Sequence, residues 1–247
     1  MTALNAIRYD DAAVILTDGA SYDRQGIVRR IGPKCQTIKG PNIVLAVSGA
    51  SAGHKALARL LARDFEDIDH ISAEGGAWFQ DWHAVYADFL EEQGGREILV
   101  AMAGWSTDQD RARLVMFASE LEQPFGEPAT IRMPLMGEAP IDRSRFDVMR
   151  DGVALVERQR LYRGEAESDA DRASGNLVVG GHVMLTLVRR TGITHQILKT
   201  WPEDRVGHPI RPAAGMPAAS ASNVIPLPAQ NRAERRRQAK MTRECAA

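Results

Sequence analysis

The chain has 247 residues, of which 44% are hydrophobic and 26% are charged, and its formal net charge is -1. This length supports one large domain or two small ones, and the composition is ordinary for a globular protein. The near-neutral charge excludes a general electrostatic attraction to nucleic acid, and no apolar run approaches the roughly 20 residues of a membrane span.

The sequence lacks the usual patterns of a disulfide framework, a metal-binding site and a secretory signal. Two cysteines, Cys35 and Cys245, lie far apart, which argues against a disulfide framework. None of the six histidines has a spacing to cysteine or glutamate that is typical of a metal site. The N-terminal segment lacks the basic and apolar regions of a secretory signal. We therefore expect a cytoplasmic protein with no cofactor and no metal.

The first half of the chain predicts three strands followed by two helices. Short runs rich in β-forming apolar residues predict strands over 2–9, 12–18 and 42–49. Apolar residues at helical spacing then predict helices over 51–68 and 76–95.

The second half returns to strands. We predict strands over 96–105, 112–119 and 128–137, a helix over 143–164, and closing strands over 176–190 and 192–201 that meet in a hairpin at Thr191–Gly192. Strands and helices do not alternate along this order. It therefore favours an α+β fold in which two antiparallel sheets pack face to face with the helices outside.

The composition changes sharply near residue 202, which predicts a domain boundary. Residues 1–201 are expected to fold, whereas residues 202–247 are rich in proline and alanine and are expected to be a disordered linker and tail. The tail ends in a basic cluster of six Lys and Arg against two Glu after Asn231. This cluster could contact phosphates weakly, but no aromatic residues interleave it, so nucleic-acid binding is the weakest functional hypothesis.

Three residues near the N-terminus form a candidate catalytic set. Thr2 follows the initiator methionine, Asp18 lies sixteen positions later, and Lys34 lies sixteen positions beyond Asp18. Removal of Met1 would leave Thr2 with a hydroxyl nucleophile and a free α-amine, which is an established pairing of nucleophile and base. A nearby lysine would favour the deprotonated hydroxyl, and an aspartate would balance the lysine charge. Taken singly, Asp18 would be read as a turn residue and Lys34 as a solvated charge.

The opening TALNAIRYDDAAVILTDG resembles the start of the N-terminal-nucleophile threonine peptidases, which include proteasome β-subunits and the bacterial HslV-type peptidase. The resemblance implies the four-layer αββα sandwich of that family over residues 2–201. It also implies that Thr2, Asp18 and Lys34 form the catalytic core, which fits their spacing without a gap. Through the segment LAVSGASAGHKALARLLARD it implies that the Gly49 N–H is the oxyanion-hole donor, with Ser48 as the alternative.

A second segment, DRASGNLVVGGHVMLTLV, is similar to the Asp-x-x-Ser-Gly segment of proteasome subunits. That similarity implies that Asp171 and Ser174 orient the amine of the nucleophile. One departure lies in PLMGEAPIDRS, where Gly137 has no adjacent serine although many proteasome subunits have one there.

Two functional hypotheses follow. The first is a threonine hydrolase that cleaves amide bonds of a peptide or protein substrate. The resemblance then implies a homo-oligomer that assembles into a ring, and an ATPase partner. The second is a catalytically inactive proteasome-like fold that serves as a structural or assembly component, encoded by a phage or prophage and associated with the virion. Neither hypothesis involves a membrane.

Overall fold

The computed structural model describes residues 2–23, 25–49, 53–92, 95–133, 141–162 and 176–211. In chain order these residues form β1 (Leu4–Arg8), β2 (Ala13–Asp18), β3 (Ala20–Tyr22), β4 (Val28–Ile31), β5 (Cys35–Ile38), β6 (Ile43–Gly49), α1 (Gly53–Asp64), α2 (Ile68–Glu92), β7 (Ile98–Ser106), β8 (Arg111–Ala118), β9 (Phe125–Gly126), β10 (Thr130–Met133), α3 (Val148–Gln159), β11 (His182–Arg189) and β12 (Gly192–Thr200).

The strands form two five-stranded sheets and one small pair, and every pairing between them is antiparallel. The first sheet has the order β10-β1-β2-β11-β12, the second has the order β5-β6-β7-β8-β9, and β3 pairs with β4. The predicted mixture of helices with antiparallel sheets is confirmed, and so is the hairpin between the last two strands, β11 and β12.

Consecutive apolar side chains of the central strands point to opposite faces of their sheet, so each sheet buries both of its faces. In β6, Val44 and Ala46 belong to a cluster shared by strands of both sheets, whereas Leu45 and Val47 pack with residues of α1 and α2. In β2, Leu16 packs in a third cluster with Val156 of α3. A strand that is buried on both faces reads as a continuous apolar run, which is why the sequence signal of these strands is strong.

The structure differs from the sequence-based elements at several ends. The short strands β3, β4 and β5 were not predicted, because each has only three or four residues and β4 carries two exposed arginines. Helix α2 begins at Ile68 rather than at residue 76. Helix α3 begins at Val148, where the Asp147 carboxylate accepts hydrogen bonds from two backbone N–H groups and caps the helix.

The ordered body also extends past the predicted boundary at residue 201. Residues 202–211, which we call the strap, continue from β12 and pack on the body: Ile210 is buried, and the Val28 N–H donates to the His208 carbonyl at 2.9 Å. This segment is rich in proline and polar residues and has no periodic apolar pattern, so the sequence did not predict its contacts with the body. The remainder of the predicted tail, residues 212–247, lies outside the described residues.

Candidate active site

Asp18 brings the predicted catalytic residues together. Its side chain is fully buried at the end of β2, and its Oδ1 atom accepts a hydrogen bond from Lys34 Nζ at 2.8 Å. The same oxygen accepts the backbone N–H of Ala3 at 3.0 Å. Thr2, the residue before Ala3, is itself buried. The three residues that the sequence analysis selected are thus neighbours, with Asp18 between the start of the chain and Lys34.

Antiparallel pairing explains why the third and eighteenth positions meet. Strand β1 pairs with β2, and Leu4 lies opposite Thr17 in this pairing. The residues just before β1 therefore lie beside the last residue of β2. The Asp18 N–H accordingly donates to the Ala3 carbonyl. Lys34 arrives from elsewhere: it immediately precedes β5, the edge strand of the second sheet. The site therefore lies where ends of the two sheets come together.

The backbone nitrogen of Thr2 has a side-chain partner. It donates to the Ser48 Oγ at 3.1 Å, and Ser48 is buried near the end of β6. In the full-length chain this nitrogen is an amide, because Met1 is attached to it; after removal of Met1 the same atom would be the α-amine. Ser48, which entered the sequence analysis only as the alternative to Gly49, therefore contacts the atom that would act as the base.

Gly49 follows Ser48 and ends β6. Its φ of 120° lies in a region that favours glycine, and a Cβ at this position would collide with the Glu97 carbonyl. Gly49 directly follows Ser48, the residue that contacts Thr2. The backbone conformation and the lack of space for a Cβ therefore require a glycine here, independently of any role of its N–H in catalysis.

The second oxygen of Asp18 has a partner that the sequence analysis missed. Its Oδ2 atom accepts the backbone N–H of Gly180 at 3.0 Å. Asp18 thus accepts from one cation and from two backbone N–H groups, which compensates for the burial of its charge. A backbone donor that lies 162 positions away has no signature in local sequence.

His182, at the start of β11, is a further missed residue. Its ring packs against Gly19 so closely that a Cβ on Gly19 would overlap it. Burial lowers the pKa of His182, the positive charge of Lys34 lowers it further, and the Asp18 carboxylate opposes both effects. Its Nε2 atom is buried and has no hydrogen-bond partner among the described residues. A neutral imidazole therefore lies beside the Lys34–Asp18 pair.

Two other titratable groups near the site stay in their neutral forms. Burial raises the pKa of the Cys35 thiol to about 11, so the residue next to Lys34 is a buried thiol rather than a reactive thiolate. Burial raises the pKa of the Tyr22 hydroxyl, and the negative charge of Asp18 raises it further. Cys35 and Tyr22, like His182, are thus uncharged at neutral pH.

Asp171 and Ser174, which the resemblance implies as partners of the amine, lie outside the described residues, and so does Gly137. Across the described ranges, no group of three or more His, Cys, Asp or Glu side chains has an arrangement that could hold a metal ion. Of the helices in these ranges, none has the length and apolar character needed to cross a membrane.

Thr2 and Asp18 are buried, and the Lys34 side chain is 11% exposed. Together they supply a hydroxyl, a counter-ion and a cation, and Ser48 contacts the nitrogen of Thr2. After loss of Met1 this set can provide a nucleophile, a base on the same residue and a fixed positive charge that favours the deprotonated hydroxyl. The chain matches no protein-family model, and no curated protein matches it.

Proposed function

We propose that the protein is a threonine-type N-terminal-nucleophile hydrolase that cleaves amide bonds in peptides or proteins after Met1 is removed. One observation carries the proposal: the second residue of the chain is buried, and its neighbour Ala3 is held on the same Asp18 oxygen that binds Lys34.

In the proposed reaction Thr2 Oγ attacks the substrate carbonyl while the α-amine accepts its proton. The bond to the leaving amine then breaks, the leaving nitrogen is protonated, and an ester on Thr2 remains until water hydrolyses it. Lys34 stabilises the deprotonated hydroxyl, Asp18 holds Lys34 in place, and the Gly49 N–H is the oxyanion donor that we assign. Ser48 orients the amine through the contact described above.

The arrangement of the sheets and helices in layers is part of the same proposal. We assign the fold to the four-layer αββα sandwich of the N-terminal-nucleophile hydrolases. The shared cluster between the two sheets supports this assignment, as do the separate clusters that hold α1 and α2 against the second sheet and α3 against the first. By the same resemblance we propose a homo-oligomer, in ring form, that works with an ATPase partner on a peptide or protein substrate.

The test is covalent labelling of Thr2 in the full-length protein as it is purified. Mass spectrometry first measures the fraction of chains that lack Met1, and the protein is then treated with a β-lactone or an epoxyketone. We expect one adduct per chain, on Thr2, in wild type and in Thr2→Ser, and none in Thr2→Ala.

Two results would contradict the proposal. One is quantitative retention of Met1, because an acylated nitrogen cannot act as the base. The other is the absence of an adduct on correctly trimmed protein, which would favour the structural or assembly component instead.

A further inference from the structure

We propose that Arg160 and Asp204 are positioning residues for the candidate active site. They act through the turn at Gly180–Gly181, which presents a backbone N–H to Asp18. This inference rests on the proposed function only for its effect on catalysis, because the positioning itself can be measured without a substrate.

Arg160 and Asp204 form a buried ion pair. Both side chains are fully buried, and Arg160 Nη2 lies 2.8 Å from Asp204 Oδ1, with a second contact between Arg160 Nη1 and Asp204 Oδ2. The guanidinium also lies 4.3 Å from the centre of the Trp201 ring and donates to the carbonyls of Val179 and Arg211. Arg160 directly follows α3, whereas Asp204 belongs to the strap.

A fully buried ion pair is costly to form and adds little stability compared with apolar residues of the same size. A role in fixing backbone geometry would explain its presence. The Gly181 N–H donates to Asp204 Oδ2 at 2.7 Å, so the carboxylate that Arg160 binds is itself bound to the turn.

The turn links two buried carboxylates. Gly180 donates its N–H to Asp18 Oδ2 at 3.0 Å, and the next residue, Gly181, donates to Asp204. Consecutive backbone amides therefore bind the carboxylate of the candidate site and the carboxylate of the ion pair. Because the peptide units are covalently joined, a shift at one amide moves the other.

Both glycines are required by this arrangement. A Cβ on Gly180 would lie 2.6 Å from Asp204 Oδ2 and 3.2 Å from Arg160 Nη1, so a side chain there would push the ion pair away. Gly181 has a φ of 82°, which favours glycine. The turn is thus shaped so that the ion pair can approach it closely.

The chain of contacts ends at Lys34 and at Ala3, the residue next to the candidate nucleophile Thr2. Asp18 Oδ2 is held by Gly180, and Asp18 Oδ1 holds both Lys34 and the backbone of Ala3. Rotation of this carboxylate would displace Lys34 and the start of the chain together. Displacements of about 1 Å in a catalytic set cost on the order of 100-fold in rate.

The experiment compares Asp204→Asn with Glu203→Gln in the full-length chain. Glu203 also contacts Arg160, at 3.1 Å, but its side chain is one-third exposed and no hydrogen bond joins it to the turn in the described residues, which makes it the matched control. Amide hydrogen exchange is measured over residues 176–181, together with the maximal labelling rate kinact and the inhibitor constant KI of the Thr2 probe.

We expect Asp204→Asn to accelerate exchange at Gly180 and Gly181 by at least about tenfold. We also expect it to lower kinact by about 10- to 100-fold and leave KI unchanged. Glu203→Gln should alter neither quantity by more than about twofold, since surface substitutions have small effects. If Asp204→Asn does not fold, Arg160→Lys, which retains the charge but loses the paired contact, is expected to change both quantities in the same direction.

An unchanged amide exchange rate at Gly180 in a folded Asp204→Asn protein would overturn the inference. An equal acceleration of exchange in β6 and β7 would also overturn it, because it would indicate only a loss of global stability. In wild type, Gly180 and Gly181 should exchange as slowly as β11, and exchange at the rate of an exposed loop would also overturn it. Failure of the probe to label wild type contradicts the proposed function alone, because the exchange result still tests the positioning.

Discussion

Asp18 accepts hydrogen bonds from Lys34, from the Ala3 backbone and from the Gly180 backbone, which belong to three separate parts of the chain. It is fully buried, and the Lys34 side chain is only 11% exposed, so each charge depends on the other for compensation. A single residue therefore joins the stability of the fold to the geometry of the candidate site.

Asp18→Asn is expected to lower the free energy of unfolding by about 3–5 kcal/mol, the typical cost of removing one partner of a buried ion pair. It should also abolish labelling of Thr2, because Lys34 loses the group that holds it. Denaturant unfolding and mass spectrometry measure the two effects. Asp11→Asn, at an exposed position between β1 and β2, is the control and should match wild type in both. Wild-type stability in Asp18→Asn would show that Lys34 does not depend on this carboxylate.

The buried imidazole of His182 predicts a loss of stability in acid. Its pKa in the folded protein lies below the ordinary value of 6.5, so below that pH the unfolded chain takes up a proton that the folded chain does not. The contribution to stability is therefore complete above pH 6.5 and is lost as the pH falls toward the folded pKa, by up to about 1.4 kcal/mol per pH unit.

His182→Phe keeps a ring against Gly19 but cannot titrate. Unfolding free energies measured at pH 7.5, 6.5 and 5.5 should fall less steeply for the variant than for wild type. His54, whose pKa burial also lowers, remains in both proteins, so the difference between the two slopes reports His182. Equal slopes would mean that His182 titrates alike in the folded and unfolded chains.

At the scale of secondary-structure elements, the strands that carry the site differ in how well sequence predicts them. Strands β2 and β6 are continuous apolar runs because both faces are buried, and both were predicted. Strand β5, which Lys34 immediately precedes, has four residues with two buried ends and was not predicted. Lys34 was selected from its spacing alone, whereas the element that positions it became visible only in the structure.

The step from β2 to β3 depends on Gly19 for space rather than for turn conformation. Because the His182 ring occupies the place of a Cβ, Gly19→Ala is expected to cost about 1–3 kcal/mol of stability by overpacking. The cost should fall when His182→Ala is also present, which a double-mutant cycle of unfolding free energies measures. Gly126→Ala is the control, since a Cβ there meets no atom within 4 Å. Additive effects of the two substitutions would contradict this contact.

At the scale of the whole molecule, the strap makes residues 202–211 part of the body. A chain that ends at residue 211 keeps the whole strap and serves as the reference. A chain that ends at residue 201 loses Asp204 and leaves the buried Arg160 charge uncompensated, and we expect a loss of about 3–5 kcal/mol. Equal stability of the two truncated chains, measured by denaturant unfolding, would show that the strap contributes nothing.

The sequence by itself determined the mixed antiparallel architecture and the selection of Thr2, Asp18 and Lys34 as one set. These features depend on local patterns, apolar runs and helical spacing, together with a spacing that resembles a known family. The tertiary structure decided the surroundings of that set: Ser48 on the Thr2 nitrogen, Gly180 on Asp18, and His182 against Gly19. It also decided that the strap returns to the body and binds Arg160. The physical reason is that these partners are backbone groups and side chains from distant strands and loops, which meet only when the sheets pack and which no local periodicity encodes.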